Sequence, residues 1–197
     1  MPRARLSPTD LSDVSRRCIA ALVDGGGDTT TTVLVAASGL SERTFFRYFP
    51  SKADCIRPVL EAGYRRFVAE VVDRLAAGSA GTLLDLARDA FVGAYRADEV
   101  PRDERFVHLL VEVPAYRRVW LEINEDTAQA LAAALAERTG AGPDEIALRL
   151  TADEMTLLAV SSLRVMVRSG LSAAEAADLV VAARRHDPLD RSTADAV

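Results

Sequence analysis

Residues 29–55, TTTTVLVAASGLSERTFFRYFPSKADC, constrain the fold more than any other stretch of the chain. They read as two short helices joined at a glycine, a hard stop, and the cap of a third helix. Thr30 can cap the first helix, because its hydroxyl can accept from a backbone N–H that the first turn leaves without a partner. Leu34, Val35 and Ser38 fall at helical spacing, Gly39 supplies the positive φ of a tight helix exit, and apolar Leu40 plugs the joint. Ser41 caps the next helix, which the pattern runs from Glu42 to Phe49. Pro50 ends it, since proline cannot continue a helix and disfavours α geometry in the residue before it. Ser51, with Asp54 three residues on, forms a capping pair for the third helix.

Two short helices with a turn of this length match the helix-turn-helix, whose second helix enters a DNA major groove. Such a helix needs apolar residues on its inner face and donors on its outer one. Phe45 and Phe49 are four apart and share a face, which leaves Arg43, Thr44, Arg47 and Tyr48 to look outward. Arg43 and Thr44, near the helix N-terminus, are the candidates for base edges, because arginine suits guanine O6 and N7. The alternative is a helical hairpin buried in a core. Two arginines and two hydroxyls on one short helix weigh against it.

Within this stretch, GLSERTFFRYFPSKAD resembles the signature of TetR-family transcriptional regulators. The rest of the chain resembles that family in length and helical pattern. The resemblance implies an all-helical homodimer that represses transcription from a near-palindromic double-stranded DNA operator until a small-molecule effector binds. It implies that Lys52 contacts phosphate, which positions a protein on DNA without reading sequence. Phe46 stands where the family commonly has a tyrosine whose hydroxyl meets a phosphate. Phenylalanine cannot make that bond, but it can press on the sugar-phosphate backbone or a thymine methyl, and Tyr48 can supply the lost contact. Thr30 and Ser41, at the two caps, complete the candidate DNA-facing set. Val33 replaces a charged, exposed residue of the family. The absence of a bulky side chain near Gly26 predicts a loose loop there.

The net charge of −5 looks wrong for a DNA-binding protein, so its distribution matters more. In residues 1–58 eight basic residues face six acidic ones, giving a head of +2 and leaving −7 on the remainder. A basic head on an acidic body favours docking on DNA by one end. Arg3 and Arg5 lie on a short arm that can reach a minor groove or can simply be a disordered tail. With 49% hydrophobic and 27% charged residues the chain reads as globular. No apolar run reaches membrane-spanning length and the start MPRARLSPTDLS has no apolar signal core, so a cytoplasmic protein is expected. Cys18 and Cys55 are expected to pack as small hydrophobes, with a redox switch as the alternative.

The chain divides into a helix-turn-helix domain, 1–50, and a helical ligand-binding and dimerisation domain, 51–197, together all-α with about nine helices. Ser7, Pro8 and Asp10 start a first helix whose stripe Leu11, Val14, Cys18, Ile19, Leu22, Val23 packs behind the motif, making a three-helix head. A fourth helix runs from Ser51 toward Ala77, with Pro58 kinking it or delaying its start, and a hinge there is one reading. Helices come next at Leu83–Arg96, Arg102–Val113 and from Ala115 to Gly140. Another opens at Pro143 and ends at Ser169, and a last one, Ala173–Arg185, starts at the capping box Ser172 to Glu175. The segment LLAVSSLRVMV is apolar nearly all round and must be covered on both sides. The resemblance implies that the last two helices, about 143–169 and 173–185, pair with their mates in a homodimer.

Aromatic residues concentrate in the middle helices. Tyr64, Phe67, Tyr95, His108, Tyr116 and Trp120 are the candidate effector-binding residues, and an apolar or aromatic ligand is expected rather than a highly charged one. An aromatic stripe at helical spacing can equally be plain core. Two histidines, and no HExxH, CxxC, P-loop or GxSxG pattern, argue against an enzyme and against a metal or cofactor. The competing function is a helical adaptor whose helix-turn-helix no longer binds DNA.

Overall fold

The computed structural model of the chain describes residues 5–78, 81–96, 104–142 and 145–186. Among these residues lie nine α-helices and a 3-10 turn, with no strand: α1 (Pro8–Asp24), α2 (Thr31–Ser38), α3 (Glu42–Tyr48), the 3-10 turn (Lys52–Ile56), α4 (Arg57–Ala76), α5 (Leu83–Arg96), α6 (Glu104–Glu112), α7 (Pro114–Thr139), α8 (Ile146–Ser169) and α9 (Ala173–Arg185). The all-α class read from periodicity is the observed one. Arg3, the loop at 97–101 and the tail from 187 lie outside the described residues, as do Pro143 and the start proposed for the sixth helix at Arg102.

Local chemistry sets the ends of the helices. Ser7 and Asp10 form a reciprocal capping box at α1, and Ser172 and Glu175 form another at α9. Thr30 accepts from the Val33 N–H at α2, and Ser41 accepts from the Thr44 N–H at α3. Gly39 closes α2 at φ 70°, in the left-handed region that favours glycine. The buried Ser38 hydroxyl holds the turn, donating to the Val35 carbonyl at 2.6 Å and accepting from the Leu40 N–H at 3.0 Å. Arg17 of α1 donates to the Ala37 and Ser38 carbonyls at the C-terminal end of α2, where carbonyls lack helix partners and a cation suits the dipole.

Several boundaries differ from the sequence reading: α7 begins at Pro114, one residue before the expected Ala115, α8 begins at Ile146 after an extended Glu145 and not at Pro143, and two more are set by proline. Phe49 is extended, at φ −124° and ψ 99°, and α3 ends at Tyr48, since Pro50 excludes α geometry before it. The Ser51–Asp54 box caps the 3-10 turn and not α4, which begins at Arg57. Pro58 has no N–H, and its ring would strike the Asp54 carbonyl if one α-helix ran through from Lys52. That carbonyl instead takes the Arg57 N–H, so proline delays the helix. The loop at Gly25–Gly27 is also tighter than expected. Its three N–H groups donate back to carbonyls of α1, and Gly27 lies at φ 87° where a Cβ would come within 2.5 Å of Leu109 Cδ2.

Packing is continuous across the boundary drawn at residue 50. One apolar cluster joins Leu22, Leu34, Phe45 and Phe49 of the head to Ile56 and Val59, and on to Phe106, Leu110, Tyr116 and Trp120. Cys18 and Cys55 are fully buried in it, and the neighbouring Cys18 together with burial pushes the Cys55 thiol well above its usual range. Cys55 therefore packs as a neutral hydrophobe, while the Cys18 thiol, held lower by its hydrogen bond to Cys55, lies 3.8 Å from the Leu34 carbonyl. A second cluster joins the C-terminal half of α4 to α5, α7, α8 and α9. No single helix among the described residues is long and apolar enough to cross a membrane. Because Phe45 is fully buried between these elements, Phe45→Ala should lower unfolding free energy by about 3–5 kcal/mol, read from denaturant titration.

Candidate nucleic-acid interface

The head turns one face of α3 inward and leaves the other open. Phe45 and Phe49 are buried, with ring centres 5.0 Å apart in an edge-to-face pair. Arg43 and Arg47 are exposed, and Phe46 is 41% exposed with its ring edge-on to Phe45. Thr44 is half-buried, its hydroxyl 2.9 Å from that of Ser41, so the cap and the candidate base contact share one hydrogen bond. Thr30 lies exposed at the start of α2, and Val33 is 48% exposed beside it.

Tyr48 has an unforeseen role. Its hydroxyl accepts from the Leu6 N–H at 2.8 Å, which ties the segment carrying Arg5 to the C-terminal end of α3. The Arg47 guanidinium sits 5.0 Å from the centre of the Tyr48 ring, a cation–π contact that orients the arginine. The Tyr48 proton remains available to an acceptor such as a phosphate. Lys52 donates to the Thr29 carbonyl at 3.2 Å, so its ammonium is held beside the entry to α2. An ammonium has three donors, and two remain.

Behind this face a polar cluster ties the turn after α3 to α4 and α7. Asp54 uses Oδ2 to cap the turn after α3, accepting from the Ser51 N–H and hydroxyl. Its Oδ1 lies 3.7 Å from the guanidinium groups of both Arg57 and Arg118. Those two arginines hydrogen-bond the two oxygens of Glu122. Arg57, and then Arg118, hold the Glu122 carboxyl below the usual carboxylate range. Arg118 and Glu122 stand one turn apart on α7, on either side of Trp120. The i, i+4 spacing of that pair is a sequence signal; Arg57 and Asp54 could be joined to it only by the fold.

The body forms a narrow, apolar, partly open cavity of about 60 Å³, walled by α4, α5, α6, α7 and α8. Of the candidate effector residues, Tyr64, Phe67, Tyr95 and Trp120 line it, joined by Phe91 and Phe106. The Trp120 indole N–H donates to the Tyr64 hydroxyl at 2.7 Å. Two candidates do not line it. His108 is exposed on the outer side of α6, because Phe106, Leu109 and Leu110 take the inner face. Tyr116 is buried in the head-side cluster instead, where burial raises its pKa to about 12.

The chain thus joins a helix-turn-helix head, through a shared core, to a helical body with an apolar cavity. No protein-family model matches the chain, and no curated protein does. Among solved structures, the fold is similar to that of a TetR-family transcriptional regulator from Syntrophomonas wolfei, at a TM-score of 0.62, 12% identity, and coverage of 90% of this chain and 93% of that one. It is also similar to a TetR-family transcriptional regulator from a Rhodococcus species, at a TM-score of 0.53, 15% identity, and coverage of 90% and 97%. The chain therefore has the fold of TetR-family regulators.

A carboxylate whose folded pKa lies below its unfolded value adds stability above the unfolded value and loses it as pH falls through the folded one. Glu122 is of this kind. Glu122→Gln should therefore be less stable than the parent near neutral pH, and the gap should close as pH drops below about 4.3. Thermal melts across a pH series check this.

Proposed function

We propose that the protein is a TetR-type transcriptional regulator: a cytoplasmic homodimer that binds a near-palindromic DNA operator and releases it when a small apolar molecule enters the body. The observation that carries this reading is the open face of α3. Arg43, Phe46 and Arg47 project from a helix whose other side is locked by Phe45 and Phe49. Each subunit would lay α3 in a major groove, with half-site centres about 34–36 Å apart or a multiple of that. Arg43 would read base edges. Arg47, Lys52 and the Tyr48 hydroxyl would meet phosphates, and Phe46 would lie against sugar or a thymine methyl.

The second subunit would dock on α8 and α9. Leu150 and Leu157 are seven apart on α8 and 62% and 59% exposed; Leu179 of α9 is 52% exposed. Three half-open leucines on the last two helices support an apolar face awaiting a partner. Effector release would work through two conformers of different DNA affinity, the ligand favouring the one with mis-spaced heads. Trp120 supports this link, since it walls the cavity while its neighbours Arg118 and Glu122 grip the base of the head.

Fluorescence anisotropy with the DNA upstream of the protein's own gene, followed by selection from genomic fragments, tests the reading. Arg43→Ala should cost about 1–3 kcal/mol on the operator and relax its sequence preference, whereas Lys52→Ala should weaken all DNA alike and reduce the salt slope by about one. Failure of any fragment to bind better than random DNA at low salt would favour the adaptor. A Leu150→Glu, Leu157→Glu double variant should sediment as a folded monomer; a variant that remains dimeric would move the interface elsewhere.

A further inference from the structure

The polar groups of the cavity lining are few: the Trp120 indole N–H and the hydroxyls of Tyr64 and Tyr95. Among the described residues no charged side chain lines it. Trp120 spends its only donor on the Tyr64 hydroxyl. Tyr64 thereby has an acceptor site filled and its own proton unspent, since no described residue accepts it. Burial pushes the Tyr64 hydroxyl well above the usual phenol range, so it remains a neutral donor at any physiological pH. A partly buried donor with its proton unspent is a ready partner for a ligand oxygen.

Charge discriminates further. An ion brought into this cavity would lose its hydration, and no side chain of the lining carries a counter-charge; the nearest charge, Arg164, stands behind the Trp120 ring and outside the lining. Aromatic walls can hold a cation, and tryptophan is the best ring for it. Here the Arg164 guanidinium already lies 5.5 Å from the centre of the Trp120 ring. A second cation near that indole would meet its repulsion.

We infer that the cavity takes an uncharged, largely apolar molecule bearing a hydrogen-bond acceptor such as a ketone or ether oxygen, and that the Tyr64 hydroxyl donates to that acceptor. This rests on the regulator reading only for its consequence on DNA; the binding chemistry stands on the cavity alone. Tyr64 sits on α4, two turns beyond Arg57, and Trp120 sits on α7 between Arg118 and Glu122. An acceptor at Tyr64 would therefore engage the two helices that grip the head.

The chain contains one tryptophan, and it is in the cavity wall, so intrinsic fluorescence reports occupancy directly. The full-length protein would be titrated with 2-octanone, its acceptor-free isostere 2-methyl-1-octene, octanoate and octyltrimethylammonium. The ketone should saturate the signal and bind at least tenfold tighter than either ion. Tyr64→Phe should weaken the ketone by about three- to tenfold, the worth of one hydrogen bond, and leave the alkene unchanged. Equal affinity for ketone and alkene, indifference of the ketone to Tyr64→Phe, preference for an ion, or no binding of the ketone would each overturn the assignment. Anisotropy on bound DNA separates the two readings. Ketone binding that obeys the Tyr64 rule yet leaves DNA affinity untouched would sink effector control and keep the cavity chemistry.

Discussion

Helices α2 and α3, of eight and seven residues, are too short to persist in water by themselves. Burial of Leu34, Phe45 and Phe49 holds them, and that burial is not confined to the head. The same apolar cluster runs through Ile56 and Val59 to Phe106, Leu110 and Trp120. The head thus has no core separable from the body, and α1 packs directly on α4 and α6 while α7 meets the 3-10 turn. A rigid unit built this way transmits displacement, because close-packed interiors shift as blocks and do not compress.

The polar cluster at the same junction does a different job. Arg57, Arg118 and Glu122 are partly exposed, and exposed ion pairs contribute little net stability. Their geometry is what matters: Asp54 caps the turn after α3 with one oxygen and faces both arginines with the other. The apolar cluster supplies the free energy of the joint, and the charged cluster links the turn after α3 to α4 and α7.

How legible each feature is in the sequence depends on the range of the interaction behind it. The glycine exit, the serine and threonine caps and the Pro50 stop act within a few residues, so α2, the turn and α3 could be read to within one position. The delayed start of α4 is local too, and Pro58 signalled it without deciding between kink and delay. His108 could have been read correctly: Phe106, Leu109 and Leu110 fix the inner face of α6, and 108 falls off it. Tyr116 could not. It and Trp120 are one turn apart on α7, and both are buried; which of them meets the cavity depends on where α4 and α6 cross. The Tyr48–Leu6 latch and the grip on Arg57 bring together residues 42 and 65 positions apart, and nothing in local pattern encodes them.

The narrowness of the cavity bears on how ligand and DNA could communicate. About 60 Å³ is less than the 150 Å³ or so of an engineered apolar cavity that accepts benzene. A larger guest must part the walls. Two of the walls, α4 and α7, are joined by the 2.7 Å bond between Tyr64 and Trp120. Three residues before Leu60 of the wall, Arg57 begins the grip on Glu122, two residues after Trp120. Parting the helices at the cavity would therefore stretch the joint that sets the head. Useful coupling between sites is about 1–3 kcal/mol, a factor of about 5–150 in affinity. One strained hydrogen bond, at about 0.5–1.5 kcal/mol, reaches the lower part of that range. A grip much stronger than this would resist the ligand, and a much weaker one would let the head drift without it.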